Sequence, residues 1–214
     1  MHNIRQENNT LIWQKNRETV QVEPWGMDSL RVRATVNPML RTDWPGALLK
    51  PVAAEVEIEI GTSRAVMRNG AIAAEIIPQG DFVDPNARIS LRFFNAITGV
   101  ELLAEAPGYF PRPAARQYTS VGGDLFRIET RFKAYDHERL YGLGQHQHGR
   151  LNQKGCVIDQ MQSNTEVCIP FVLSSRGYGF LWHNPAVGRV EFGQDQTRWV
   201  AEAAPQLDLS LIHI

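Results

Sequence analysis

Several residue groupings in this 214-residue chain have types and spacings that could do chemistry. His146-Gln-His148 has the alternate spacing that puts two imidazoles on one face of a strand, as some metal sites do, but no third ligand is evident and the setting is rich in glycine. No metal is therefore expected. Gly142-Leu-Gly144 has two glycines of a Gly-x-Gly but neither the third glycine nor a following helix, so it is no dinucleotide fingerprint and no cofactor is implied. Ser174-Ser175 lacks the setting of a nucleophile elbow, and its hydroxyls read as groups that satisfy a turn. Cys156 and Cys168 are too few for a disulfide framework and read as reduced, packed thiols. Trp44 could be a sugar platform, although an aromatic covering the core margin is the commoner use.

The elements that must position these residues alternate with period two almost everywhere. Leu30–Val36, Glu55–Ile60 and Phe126–Lys133 each place one apolar row inward and one charged row toward solvent, which predicts half-buried antiparallel strands. Arg64–Arg68 and Ala71–Ile77 flank Asn69-Gly70, a dipeptide suited to a type I′ hairpin turn, and Gly122-Gly123 can turn the chain after Arg116–Val121. Thr10–Trp13, Thr19–Val22, Ile89–Phe94, Val167–Leu173, Gly179–Trp182 and Arg189–Phe192 are further expected strands, the first and last of the region 167–182 hinging at Ser174-Ser175-Arg176-Gly177. Leu140–Gly155 reads as a glycine-punctuated turn followed by a polar loop. Asn37–Gly46 and Ala104–Pro113, with their prolines, read as exposed loop and connector. No apolar 3.6 period exceeds two turns. Short strands with turn signals between them predict an all-β protein, a two-sheet antiparallel β-sandwich with little helix.

Composition narrows the partners. A formal net charge of -1 gives no long-range field to gather a polyanion, so neither nucleic acid nor an anionic membrane is expected. The first residues contain no apolar h-region and no run of about 18 apolar residues occurs, which predicts a cytoplasmic protein without a membrane span. Nothing in the sequence specifies an oligomeric state.

The stretch Leu140-Tyr-Gly-Leu-Gly-Gln-His-Gln-His-Gly-Arg-Leu-Asn-Gln-Lys-Gly155, followed by Asn164–Pro185 with its Tyr178-Gly-Phe-Leu-Trp-His-Asn-Pro185, resembles the segment just ahead of the catalytic barrel in glycoside hydrolase family 31, the retaining α-glucosidases and α-xylosidases. Pro24–Arg33, the hairpin near Asn69-Gly70 and Phe93-Phe94-Asn95 with Gly99–Leu103 follow the same order, so the likeness covers roughly residues 20 to 200. It implies a galactose-mutarotase-like sandwich that precedes a (β/α)8 barrel. In the family the barrel supplies two aspartates, one the nucleophile and the other the general acid and base. The family's nucleophile motif, tryptophan-x-aspartate-methionine-asparagine, is absent here, and no βα alternation occurs, so no catalytic residue is assigned to this chain.

The resemblance also implies a supporting loop, at Asp159-Gln-Met-Gln-Ser-Asn-Thr-Glu166, that overhangs the barrel mouth. Its Gln162, Asn164 and Glu166 are the expected substrate-binding residues, since amides and carboxylates suit sugar hydroxyls that both donate and accept. The implied partners are an α-linked oligosaccharide or glycoside and the protein's own catalytic barrel. Two other readings are carried. An aldose epimerase would need a histidine acid from His146, His148 or His183 and a glutamate base from Glu166 or Glu191. A carbohydrate-binding module would use Trp44, Trp182 and Trp199 as stacking surfaces. Residues 1–208 are read as the sandwich domain. Leu209–Ile214, which resembles the translation of adapter DNA, is read as a non-native tail and set aside from function.

Overall fold

The computed structural model describes residues 3–43, 46–79, 88–106 and 114–214, and among them it contains strands and no helix. In chain order the strands are β1 (Ile4–Glu7), β2 (Thr10–Lys15), β3 (Glu18–Pro24), β4 (Ser29–Thr35), β5 (Glu57–Ile60), β6 (Ala65–Asn69), β7 (Ile72–Gln79), β8 (Arg88–Asn95) and β9 (Glu101–Ala104), then β10 (Arg116–Gly122), β11 (Leu125–Lys133), β12 (Leu140–Gln145), β13 (Val157–Gln160), β14 (Val167–Ser174), β15 (Tyr178–Trp182), β16 (Gly188–Phe192), β17 (Gln196–Ala204) and β18 (Leu207–His213). One antiparallel sheet runs β1-β2-β3-β4-β18-β15-β14-β12. Two five-stranded antiparallel sheets, β10-β11-β17-β16-β13 and β5-β6-β7-β8-β9, complete the sandwich. They meet where Glu105, just past β9, bridges to Phe132 of β11. The all-β antiparallel sandwich is as the sequence predicts, with three sheets rather than two.

The core lies between the eight-stranded sheet and its partners. Trp182 and Phe180 of β15 stack on Trp199 of β17 with ring centroids 5.7 and 5.0 Å apart, and Phe180 meets Phe132 of β11 edge-on at 5.5 Å. Trp182 and Trp199 are 1% and 2% exposed, so neither can offer a ring to a sugar, and the reading that made them stacking surfaces is corrected. Trp44 lies outside the described residues.

Two further expectations change. The whole of β4 is buried, including Arg31 and Arg33, because the strand is central rather than half-exposed. Its basic row finds cross-strand acids instead of water. Arg31 holds Asp208 of β18 in a bidentate pair at 2.9 and 2.6 Å beneath the ring of Trp25, and Arg33 donates to Glu23 of β3 at 2.7 Å. The β6–β7 hairpin is present, but Asn69 pairs with Ile72, so the two turn residues are Gly70 and Ala71. Only Gly70 takes positive φ, 57°, which is the pattern of a type II′ turn. Asn69 is held in the strand because its buried amide donates to the carbonyls of Gly26 and Ser29, both at 2.7 Å.

One ionic cluster ties the sheets together. Arg116 of β10 donates to both oxygens of Glu105 at 2.5 Å, to Glu18 of β3 at 2.8 Å and to the carbonyl of Ile89 of β8 at 3.3 Å. Tyr118 adds a hydroxyl bond to Glu18 at 3.2 Å, and the Leu91 amide donates to Glu105 at 2.9 Å. Burial pushes the Glu105 carboxyl up and, with the negative charge of Glu18 beside it, the Tyr118 phenol well up.

Residues 209–213 lie within β18, between β4 and β15, with Leu209 and Leu211 buried.

Removing one member of a buried ion cluster strands the others, at a cost of about 3–5 kcal/mol, whereas an exposed pair is worth about 0–1 kcal/mol. Arg116→Met is therefore expected to lower the urea-unfolding free energy by about 3–5 kcal/mol. Arg5→Ala, which cuts the pair with Glu7 between side chains 48% and 56% exposed, should lower it by under about 1 kcal/mol. Equal losses in the two variants would mean that the cluster adds nothing.

Candidate functional site

The predicted substrate-side loop begins in β13, which contains Asp159 and Gln160, and crosses to β14. Facing it is the turn at the end of β12. The glycines of Tyr141-Gly-Leu-Gly144 lie within β12 and do not form the turn that the sequence suggests: Gly142, Leu143 and Gly144 have φ of 117°, 70° and 94°, and the register with β14 shifts between Gly142 and Gly144. A Cβ at Gly144 would stand 1.9 Å from the Val167 carbonyl oxygen, and one at Gly142 2.6 Å from that of Phe171. Bare backbone lets β14 approach, and the bulge aims His146, Gln147 and His148 at the loop.

The three predicted residues have different surroundings. The Gln162 side chain pairs with the backbone of Cys168 in both directions, Nε2 donating to the carbonyl at 2.8 Å and Oε1 accepting from the amide at 3.1 Å. Glu166 accepts from the Gln147 amide and from the Ser163 hydroxyl, each at 3.3 Å, and its Oε2 lies 3.6 Å from His146 Nδ1. Asn164 is exposed and its side chain has no hydrogen-bond partner among the described residues. Between Asn164 and Glu166, Thr165 takes φ of 71°, a sparsely populated conformation for a β-branched residue, and its hydroxyl accepts from the Gln147 side-chain amide. The arrangement holds the loop at both ends and leaves its tip open.

His146 donates from Nε2 to the Leu143 carbonyl at 2.9 Å, and its ring stacks on that of His148 with centroids 5.7 Å apart. The two histidines, Asp159, Met161, Ser163 and Glu166 line a cleft of about 240 Å³. The Gln147 amide, with His146 and Ser163 beside it, holds the Glu166 carboxyl below its ordinary range. Among the described residues no group of three His, Cys, Asp or Glu side chains is placed to hold a metal ion.

Of the histidine and glutamate combinations that an epimerase would need, the described hydrogen bonds and ion pairs join only His146 and Glu166. They do so at the loop rim rather than on a concave sheet face. Glu191 is bound by Arg189 and Arg198 at 2.9 and 2.5 Å. His183 is buried, its pKa lowered by desolvation, and packed so closely against Gly46 that a Cβ there would stand 1.9 Å from its ring. Cys156 and Cys168 are unpaired and half-buried.

On the outward side of the eight-stranded sheet, Ile169, Phe171 and Leu173 of β14 run beside Leu181 of β15 and Ile212 of β18. Ile169, Leu173 and Ile212 are exposed, as are Met27 and Leu49 nearby. An apolar groove of about 360 Å³ runs between this row, Trp25 and the 47–52 segment. Periodicity gave no sign of it, because a strand that is apolar on both faces reads simply as buried.

The sandwich with this loop defines a galactose-mutarotase-like domain. Residues 19–191 match the glycosyl hydrolase 31 N-terminal galactose mutarotase-like domain, and the chain belongs to that family. It is 32% identical over 97% of its length to a protein of Pseudescherichia vulneris named an uncharacterized family 31 glucosidase, of which it covers 41%. It is 29% identical over 91% of its length to α-xylosidase A of Aspergillus niger, of which it covers 28%. The fold matches that of a GH31 α-xylosidase from a soil metagenome, solved with xylose, at a TM-score of 0.87 and 33% identity, over 99% of this chain and 32% of that one. The chain therefore spans 28–41% of the length of these relatives.

Glu166 has a depressed carboxyl pKa, so its hold on Gln147 is intact above the ordinary carboxylate range and is released as pH falls through the depressed value. Hydrogen exchange at the Gln147 amide is expected to accelerate on that acid limb beyond the intrinsic trend. In Glu166→Gln the exchange should lack the step, and a step that persists would remove Glu166 as its cause.

Proposed function

We propose that this chain is the non-catalytic N-terminal domain of a retaining α-glycosidase, an α-xylosidase or α-glucosidase that acts in carbohydrate metabolism. The observation that carries the reading is the match of residues 19–191 to the family 31 N-terminal domain. The double displacement needs two carboxylates flanking the scissile bond, and these belong to the barrel. The domain braces that barrel and contributes the Asp159–Glu166 loop to the substrate side. The exposed apolar row of β14 and Ile212 supports the bracing role, since a contiguous apolar surface marks a protein contact.

Within the loop, Asn164 is the group open to a sugar hydroxyl, while Gln162 and Glu166 hold the backbone that presents it and turn their remaining lone pairs toward the ligand. Residues 1–208 belong to the domain, β18 carries its sheet on to residue 213, and the gene sequence beyond codon 208 decides whether residues 209–214 are native to it.

The chain alone is expected to release no aryl group from either aryl α-xyloside or aryl α-glucoside. Turnover that disappears on mutating a residue of this chain would overturn the reading. In the longer enzyme, Asn164→Ala removes one net hydrogen bond of about 0.5–1.5 kcal/mol, which is roughly a two- to twelvefold loss in kcat/KM with the melting temperature unchanged. Unchanged kinetics on both substrates would make the loop a solvated connector.

A further inference from the structure

On the far side of the same loop, between its return into β14 and the turn that follows β15, lies a second cavity, of about 410 Å³. Gln160, Met161, Pro170, Asn184, Pro185 and Val187 are among the residues that line it, and no charged or aromatic side chain does. Gln160 and Asn184 are each 5% exposed, and each carries one buried polar atom without a partner among the described residues, Nε2 of Gln160 and Oδ1 of Asn184. The bonds that each residue does make fix what is left over. The Gln160 carbonyl oxygen accepts from the Cys168 thiol at 3.3 Å, so its NH2 remains as a donor. The Asn184 NH2 donates to the Asp208 carbonyl at 2.8 Å, so its oxygen remains as an acceptor.

One spare donor and one spare acceptor, both neutral, suit the hydroxyls of a sugar, each of which both accepts and donates. Buried polar groups left unmade cost free energy, so the pair favours a ligand that satisfies both. A charged ligand would find no counter-charge in this lining. The volume is far beyond the roughly 30 Å³ that one water occupies and falls within the range of ligand pockets, about 300–1,000 Å³. Met161, the prolines and Val187 offer aliphatic walls to the C–H face of a sugar ring.

We propose that Gln160 and Asn184 form a hydroxyl-binding pair in a second, uncharged glycoside site of this domain, back to back with the Asp159–Glu166 loop. The proposal rests on the glycosidase reading for the class of its ligand, and the two are tested separately as follows. The ¹⁵N-labelled 214-residue chain is titrated with methyl α-xyloside to about 0.1 M, a range that covers the weak affinities of fragment-sized ligands. Saturable shifts are expected in the side-chain amide signals of Gln160 and Asn184. Binding should weaken at least tenfold in Gln160→Leu. It should weaken equally in Val187→Trp, which fills the cavity mouth from an exposed position and leaves both buried amides in place. Shifts that never saturate, or that survive Val187→Trp unchanged, overturn the proposal and leave the cavity to water. Saturation at residues 162–166 without Gln160 and Asn184 sinks the pair and leaves the glycosidase reading standing, since that reading is decided by the kinetics of the longer enzyme.

Discussion

A guanidinium taken out of water must have its donors met and its charge balanced, and Arg116 achieves this only because three sheets converge on it. Glu18 comes from the eight-stranded sheet, Glu105 from the junction of the two smaller ones, and the Ile89 carbonyl from β8. Any rearrangement that slides one sheet past another separates charges that have no access to solvent. Apolar packing of the Trp182–Trp199 stack tolerates small displacements, because dispersion and burial are not directional. The ionic cluster does not, so it fixes the register in which the layers meet. The loop and both cavities at the rim inherit that register through β13, β14 and β15.

The strands were legible because period two survives in most of them: Glu18–Pro24 and Gly188–Phe192 alternate in burial as their residues alternate in type. The errors have one physical source, which is that a residue's partner can lie far away in sequence. Arg31 and Arg33 look like a solvent row until Asp208, 177 residues away from Arg31, is brought beside it. Asn69-Gly70 shifts by one position because the Asn69 amide is needed under Gly26 and Ser29, a demand no dipeptide preference registers.

The surroundings of the candidate loop were partly legible for the same reason. Polar types at 159–166 and the glycines of 142–144 stand out in the sequence, and family resemblance placed the loop. Which side chain was spent on holding the loop and which was left open depends on Cys168, Gln147 and Ser163, and appears only in three dimensions. Gln160 and Asn184 fall in segments the sequence singled out, yet neither stood out as a site residue. Two neutral amides in separate segments give no pattern, and their significance lies in bonds they lack.

The position of β18 has a bearing on how the chain comes to be folded. Among the described strands it is the last in chain order, yet it sits between β4 and β15, hydrogen-bonded to both. Until residues 207–213 leave the ribosome, the sheet exists as two halves, each with an open edge and with Arg31 still lacking its acid. Non-local pairing of this kind is slow, and exposed edges recruit other chains. Nascent copies should therefore need the protection of chaperones until β18 has emerged, and ribosomes stalled just short of it would display the domain in its most aggregation-prone form.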